Sequence, residues 1–499
     1  MSRTGGVVVL GGGVNGLVAA TLLAKAGRAV TLVEQRSHVG GLSASEEFHP
    51  GYRAPGLHHD ASMVRPWVLA KLGLTPTRRP RPEIVLPSRE GPELRVQPDG
   101  DLSGAVTDAD RAAWSRFRAF SAAIRPALLR LLDRPPPSAH DGLWSLAKTG
   151  LTVRRLGADT MVELLRIMPM AIADWLRDTF ATERLRAGLC LPAVEAAFTG
   201  PWSAHTAAIL FLREALSCGE VQGGAAGLVG LLEPAARAAG VTVRTSSTVE
   251  RLLVGNDGVT GVRLVGGEVL DTRQVLSTLD PKRTFLDLVG PPWLPLAVDH
   301  EARVYRMRGT TAVVRLALSK PLTTAAGTIV EALRTGETLD AVERAFDAAK
   351  YRRIAEVPVL DVRVPSIADP SLCPSGHAVA TLLVHAVPYT LDGGWSDAAR
   401  ERVRDVTLAA LARVCPAVAE DLVAVECLTP VDLEARYGLS GGHLHHGEHA
   451  PDQLLSLRPG ITVGRYATPI AGLTLGGGST HPGGWLTGAP GALAALSLV

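Results

Sequence analysis

Cysteine is scarce in this sequence, and the few that occur lie far apart. The five cysteines of the 499-residue chain form no C-x-x-C pair and no metal-type cluster. None precedes Cys190, which excludes a redox-active disulfide near the start of the chain, and none follows Cys427. Isolated cysteines of this kind are typical of reduced thiols, so we expect a cytoplasmic protein.

Long apolar segments and signal-peptide features are also absent. No stretch approaches the roughly 18 uninterrupted apolar residues that a membrane span requires. The N-terminus passes from Met1 through a short polar lead directly into an apolar strand, Val7–Leu10, without the order of regions found in a signal peptide. We therefore expect a soluble protein with at most a peripheral contact to a membrane.

Neither sign of charge dominates. There are 51 Lys and Arg residues against 49 Asp and Glu, mixed along the chain, and the formal net charge is +2. This balance argues against nucleic acid as a partner. The apolar fraction of 46% allows a large core, but the chain exceeds the roughly 250 to 300 residues over which one core usually extends, so two lobes are expected.

The first 34 residues carry a dinucleotide-binding pattern of strand, glycine turn, helix, strand and acid. Gly11 is expected to make the tight turn, Gly13 to let the backbone approach a pyrophosphate, and Gly16 to let the helix pack on the strand. The helix would begin at Val14 and Asn15, where free N–H groups favour phosphates. Glu34 ends the second strand close to the expected offset of about 20 residues and can bind ribose hydroxyls.

The residues after this acid favour FAD over NAD. Gln35, Arg36 and the doublet Gly40 and Gly41 have a spacing that resembles the second FAD motif of the phytoene desaturase and amine oxidase superfamily, whose doublet runs beside the pyrophosphate. Many relatives have arginine after the doublet, whereas this chain has Leu42. A second fingerprint for NAD(P)H is missing, because residues 223–227 lack the G-x-G spacing and predict the entry to a helix over 228–239.

Two later parts of the sequence, residues 241–279 and residues 472–488, are predicted to return to the nucleotide-binding fold. Strands separated by Asn, Asp and Gly turns over 241–279 predict a β-meander, with Val249 as a candidate FAD contact. Residues 472–475 predict a last strand, followed by a turn in which Gly477 and Gly478 permit close backbone approach. A helix starting near Gly488 would offer N–H groups to the flavin.

Three passages then resemble bacterial phytoene-dehydrogenase-like proteins related to pyridine nucleotide-disulfide oxidoreductase domain-containing protein 2. They are residues 223–290, residues 429–448 and residues 468–484. The resemblance implies an α/β fold with a Rossmann-type FAD-binding domain built from discontinuous segments (1–65, 216–290 and 455–499). A substrate-binding domain of mixed sheet would occupy 66–215 and 291–454, and the helical spacing over 100–215 predicts a helical cap.

Histidines supply the only candidates for acid-base chemistry. His443, His445, His446 and His449 lie near Glu448, but H-L-H-H spacing would put neighbours on opposite faces of a strand, so no metal is expected. The hypothesis is that His443 or His446 faces the substrate, and ordinary packing remains the alternative. His58, His59 and Asp60 follow the glycine doublet on an expected loop and could only assist the substrate.

These features favour an FAD-dependent desaturase or dehydrogenase that removes a hydride from a largely apolar small molecule. Electrons would leave to oxygen, a quinone or another carrier. The alternatives are a flavin-dependent amine oxidase, a polyene isomerase or saturase, and, from another class, an FAD-binding regulatory or assembly protein with little turnover. A homodimer is left open.

Overall fold

Five parallel strands form the first sheet of the computed structural model, which describes residues 6–88, 91–137, 154–195 and 197–499. In spatial order they are Thr242–Arg244, Val30–Val33, Val7–Leu10, Gln274–Ser277 and Leu473–Leu475. Strands from the beginning, the middle and the end of the chain thus lie side by side in one parallel sheet.

Successive side chains of the first strand point to opposite faces of the sheet, so the core of this lobe has two layers. Val7 and Val9 face one side, where the helices Val14–Lys25, Gly224–Ala238 and Ala489–Leu496 pack. On the other side, Val8 and Leu10 pack against a three-stranded antiparallel sheet. Its strands are Val249–Gly255, Gly258–Leu264 and Val269–Asp271, which is the predicted meander.

An eight-stranded sheet forms the second lobe. In spatial order its strands are Leu422–Leu428, Thr311–Leu318, Ala378–His385, Leu360–Arg363, Ala332–Arg334, Ile84–Leu86, Leu94–Val96 and Leu102–Gly104. One pair, Ala332–Arg334 with Ile84–Leu86, is parallel and the other pairs are antiparallel, so the sheet is mixed. Two short antiparallel pairs complete the strands of the described residues: the hairpin Glu46–His49 with Tyr52–Ala54, and Arg78–Arg79 with the distant Glu220–Val221.

Helices cover both lobes. The α-helices of the described residues are Val14–Lys25, Pro66–Leu72, Asp108–Leu132, Ala158–Ile167, Ile172–Thr179, Glu183–Val194, Thr206–Leu216, Gly224–Ala238, Leu296–Val304, Leu339–Lys350, Asp397–Ala412, Val418–Asp421, Pro430–Tyr437 and Ala489–Leu496. Those between 108 and 216 share one apolar core with the mixed sheet. Within the described ranges, none has the length and apolar character needed to span a bilayer.

The predicted fold class is confirmed, with one correction in the cap. The parallel Rossmann-type sheet, the mixed sheet and the helical cap are all present. Residues Leu102–Gly104, however, are not part of the cap, because they pair as an edge strand with Leu94–Val96. The helical cap begins at Asp108, where the Thr107 side chain accepts a hydrogen bond from the Asp110 N–H. Residues 138–153 of the predicted cap lie outside the described residues.

Candidate functional site

An open cleft lies at the carboxyl ends of the parallel strands. Leu10, Val33 and Thr278, which end or follow three adjacent strands, line its floor. This edge of an open parallel sheet is where such folds bind ligands. Fourteen of the seventeen residues proposed from the sequence line it: Gly11, Gly13, Val14, Asn15, Glu34, Gln35, Arg36, Gly40, Gly41, Leu42, Val249, His446, Gly478 and Gly488.

The glycines of the first turn differ in what a side chain would meet. Gly11 has φ +93°, and a Cβ there would lie 2.7 Å from Thr278 Oγ1. At Gly16 a Cβ would lie 1.9 Å from the Gly11 carbonyl oxygen, so only glycine allows the helix to pack this closely. A Cβ on Gly13 would meet no protein atom within 4 Å. Because Gly13 lines the cleft, its Cβ would occupy space that a ligand needs.

Glu34 is held in place by the backbone of the turn. Its Oε2 accepts a hydrogen bond from the Gly12 N–H at 2.7 Å, and its Oε1 accepts one from the Arg36 N–H at 2.9 Å. The residue is only 7% exposed and lines the cleft. A carboxylate offers about four acceptor positions. Two remain for hydroxyl groups of a ligand.

The glycine doublet packs directly on the first turn. The Gly40 N–H donates to the Gly12 carbonyl at 2.8 Å, and a Cβ on Gly41 would lie 3.1 Å from Gly13 Cα. The Arg36 side chain donates to the Gly41 carbonyl of the doublet at 3.2 Å and pairs with Glu46, and its guanidinium lies over the Tyr437 ring at 5.0 Å. Leu42 contributes an apolar wall to the cleft.

The C-terminal segment closes the other side of the cleft. Gly488 has φ +70° and caps the helix Ala489–Leu496, as predicted, and both Gly478 and Gly488 line the cleft. Gly477 does not, because it packs on the strand end: its Cβ would lie 2.2 Å from the Thr278 carbonyl oxygen. The helix Ala489–Leu496 approaches the first helix so closely that a Cβ on Gly491 would lie 2.1 Å from the Asn15 carbonyl oxygen.

Several residues that line the cleft were not proposed from the sequence. They are Ser43, Ser247, Thr248, Thr278, Arg283, Tyr437, Trp485 and Thr487, among others, whereas His58, which the sequence predicted only to assist the substrate, lines it as well. Thr278 could have been found, since the residue after a parallel strand faces the ligand edge of the sheet. No local pattern distinguishes the rest.

The histidines at 443–446 lie on a turn, so the prediction of a strand there was wrong. Gly441 and Gly442, both at φ +63°, turn the chain against the carbonyl oxygens of Met307 and Pro430. The His446 N–H then donates to the His443 carbonyl at 3.0 Å. We call residues 443–449 the histidine loop. Within the described residues no group of three or more His, Cys, Asp or Glu has a metal-binding arrangement.

Arg458 holds the histidine loop against the C-terminal segment. This fully buried guanidinium donates to the carbonyl oxygens of Gly447 at 3.2 Å and Gly478 at 2.9 Å, and also to those of His445, Glu448 and Gln453. Carbonyl oxygens rather than a carboxylate are its partners, and burial lowers the pKa of Arg458 from its usual value.

The two histidines proposed for chemistry have different surroundings. His446 lines the cleft, and its Nδ1 is buried without a hydrogen-bond partner. Burial, helped by Arg458 and His445, lowers the pKa of His446 to about 4, so the ring is neutral at pH 7. His443 is not among the described residues that line the cleft. Its Nδ1 accepts from the His445 N–H at 3.2 Å, and burial holds its pKa well below the usual value.

Two further cavities adjoin the cleft at His58. The inner cavity is lined by Leu57, His58, His59, Asp60, Met63, Glu195, Arg213, Arg334, Asp361, Arg363, Leu383, Leu444, His445, Trp485 and Leu486. It shares His58, Trp485 and Leu486 with the cleft. The side cavity shares His58, His59 and Arg363 with the inner cavity.

Comparison with known proteins agrees with this architecture. Residues 9–63 match a family model described as an NAD(P)-binding Rossmann-like domain. The chain is 31% identical over 540 residues to pyridine nucleotide-disulfide oxidoreductase domain-containing protein 2 of Rattus norvegicus, an alignment that covers 98% of this chain and 92% of the relative. The chain belongs to this family of flavin-type, phytoene desaturase-like oxidoreductases.

A more distant relative and a solved structure are also similar to this chain. A phytoene desaturase (lycopene-forming) of Pseudescherichia vulneris is 27% identical, over 96% of each chain. Putrescine oxidase bound to putrescine superposes with a TM-score of 0.62 at 17% identity over 99% of this chain and 98% of that one, a likeness of fold alone. The disulfide in the family's name has no counterpart here, because all five cysteines are free and the first is Cys190.

Proposed function

We propose that this chain binds FAD in the cleft and uses it to oxidise a small molecule by hydride removal. One observation carries the proposal: the turn at Gly11, the helix start at Val14, the carboxylate of Glu34 and the segment from Gly478 to Gly488 all line the same cleft. When bound, FAD supplies the hydride acceptor. The protein's part is then to bind, orient and manage protons.

The chain's own groups fit these tasks. The helix beginning at Val14 has free N–H groups and the positive end of its dipole for a pyrophosphate, next to the open backbone of Gly13. Glu34 has acceptor positions for ribose hydroxyls. The rings of His446 and His58 are neutral at pH 7, because burial lowers the pKa of His58 to about 3 and that of His446 to about 4. Each ring can therefore hydrogen-bond a substrate group, as a donor at one nitrogen and as an acceptor at the other.

Two observations bear on the chemistry of the substrate. An apolar substrate and a desaturation reaction would agree with the phytoene desaturase relative. The inner cavity argues against it, because Asp60, Glu195, Arg213, Arg334, Asp361 and Arg363 line it. Polar walls of this kind disfavour a long hydrocarbon chain. A cavity that adjoins the cofactor cleft also favours turnover over a purely regulatory role.

The proposal is tested on the purified protein. Denaturation should release FAD, identified by chromatography against FMN and riboflavin standards. Candidate substrates should bleach the bound flavin under anaerobic conditions, and admission of oxygen or addition of a quinone should restore its colour. Release of FMN, or no flavin after attempted reconstitution, would remove the basis of the proposed function.

A further inference from the structure

The inner cavity contains hydrogen-bond donors that the protein itself does not use. Arg363 lines both the inner and the side cavity, and its side chain is 13% exposed. Within the described residues its guanidinium donates no hydrogen bond, and its Nε is buried without a partner. Its ion pair, from Nε to Asp361 Oδ1, spans 3.9 Å. An arginine in this state has its planar set of donors available to a ligand.

The other cations of the inner cavity are already engaged. Arg213 donates to Glu195 at 2.8 Å, and Arg334 donates to Asp361 at 2.9 Å and to the Gly188 carbonyl at 3.0 Å. The carboxylates are engaged as well. Burial opposes the ionisation of Asp361, but Arg334 and Arg363 outweigh it and lower the pKa. Among the described residues that line this cavity, Arg363 is therefore the one arginine that donates no hydrogen bond.

Two neighbouring side chains add unused donors. Trp485 is 2% exposed, lines both the cleft and the inner cavity, and has a buried Nε1 with no partner in the described part of the chain. Both ring nitrogens of His59 are likewise buried and unpartnered. Indole and guanidinium groups can only donate, and a neutral imidazole carries one N–H. Buried donors of this kind require acceptor atoms.

We propose that the substrate carries a carboxylate, which Arg363 binds in the inner cavity with His59 and Trp485 beside it. This inference rests on the proposed function and names its substrate class. Arginine matches the two oxygens of a carboxylate in a bidentate arrangement. A phosphate monoester is less suitable, because Asp60, Glu195 and Asp361 line the same cavity and repel a second negative charge. The remainder of the substrate would extend past His58 towards the cleft.

The test uses the flavin-loaded protein and simple carboxylates as probes. Benzoate and phenylacetate are compared with benzamide and phenylacetamide, which have the same shape without the charge, and with phenyl phosphate. Binding is measured by calorimetry and by the change in the spectrum of the bound flavin. We expect saturable binding of at least one carboxylate, tighter than that of its amide by about 10-fold or more and tighter than that of phenyl phosphate.

Variants identify the residue responsible. Arg363→Gln should weaken carboxylate binding by roughly 10- to 100-fold while leaving amide binding and flavin content unchanged, and Arg363→Lys should lie between it and the natural protein. Arg402→Gln is the matched control, because Arg402 is exposed on the helix Asp397–Ala412, away from all three cavities.

The inference is overturned by equal affinity for acids and amides, by tighter binding of phenyl phosphate, by absence of carboxylate binding at millimolar concentration, or by an Arg363→Gln protein that binds benzoate normally. Its failure can be told from that of the proposed function. A protein that releases FAD but ignores carboxylates contradicts this inference alone, whereas one that prefers carboxylates but holds no FAD contradicts the proposed cofactor alone.

Discussion

At the scale of single residues, Gly13 in the first turn gives the most direct test of FAD binding. At Gly13, φ is −69° and ψ is 179°, which any residue adopts, and a Cβ would meet no protein atom. Valine at this position should therefore leave the fold intact and fill the space beside the backbone. We expect Gly13→Val to lose FAD while its unfolding temperature, measured without cofactor, stays close to that of the natural apoprotein.

Gly230 provides the control for this substitution. It lies exposed within the helix Gly224–Ala238, and a Cβ there also meets nothing within 4 Å. Gly230→Val should retain stoichiometric FAD. If Gly13→Val did so too, the pyrophosphate would have to bind elsewhere.

The two histidines at 443 and 446 should respond differently to truncation. His446 lines the cleft with a neutral ring, so His446→Ala should reduce turnover by about 10-fold to 10⁴-fold if the ring transfers a proton, without loss of FAD. His443 receives the N–H groups of His445 and Gly447, so His443→Ala should mainly lower the unfolding temperature. Steady-state kinetics and flavin content of both variants separate the two roles. Equal loss of turnover with equal stability in the two would contradict this division.

At the scale of elements, one buried arginine joins the histidine loop to the C-terminal segment. Arg458→Met keeps the length of the side chain but leaves the carbonyl oxygens of His445, Gly447 and Gly478 without their donor. Unpaired buried acceptors cost about 1–3 kcal/mol each, partly offset because the charge no longer has to be buried. We expect a net loss of about 3 kcal/mol, seen in thermal unfolding, together with weaker FAD binding. Unchanged stability would mean that the carbonyl groups find other partners.

The cleft-lining segments near the two ends of the chain could be predicted from the sequence, because their structure depends on backbone conformations and close approaches that require glycine. The turn at Gly11, the doublet at Gly40 and the entry to the last helix at Gly488 all require glycine for conformation or close approach, and that requirement appears locally in the sequence. The prediction of a strand at 443–446 was wrong because the local sequence H-L-H-H alone does not distinguish a strand from a turn. Its turn depends on Gly441 packing on Met307, 134 residues earlier in the chain.

The inner cavity could not have been predicted from local patterns. Asp60 lies on a loop, Glu195 and Arg213 lie at or within cap helices, and Arg334 and Arg363 lie in neighbouring strands of the mixed sheet. Nothing in the local sequence marks these residues as buried, and a charged residue is usually exposed to solvent. Only the packing of the cap helices on the mixed sheet encloses them together, beside a cleft that belongs to the other lobe.

For the whole molecule, buried neutral histidines should make stability depend on pH. Burial lowers the pKa of His481 to about 4, although the backbone carbonyls of Leu131 and Arg134 oppose this shift, and burial also lowers the pKa of His59 to about 4. An imidazole whose folded pKa is depressed stays neutral in the fold but takes up a proton in the unfolded chain below about pH 6.5. The unfolded state then binds more protons, so stability falls as the pH drops from about 6.5 towards 4.

Replacing one such histidine should flatten this dependence. Between pH 7 and pH 5, His481 alone should account for about 2 kcal/mol of lost stability, because 1.4 kcal/mol corresponds to one pKa unit. His481→Gln, whatever its stability at pH 7, should therefore lose less unfolding temperature than the natural protein over this interval. His300→Gln is the control, since His300 is exposed on the helix Leu296–Val304. The measurement is thermal unfolding of the three flavin-loaded proteins across the same pH series. Parallel curves for all three would show that His481 becomes protonated in the fold as readily as in the unfolded chain.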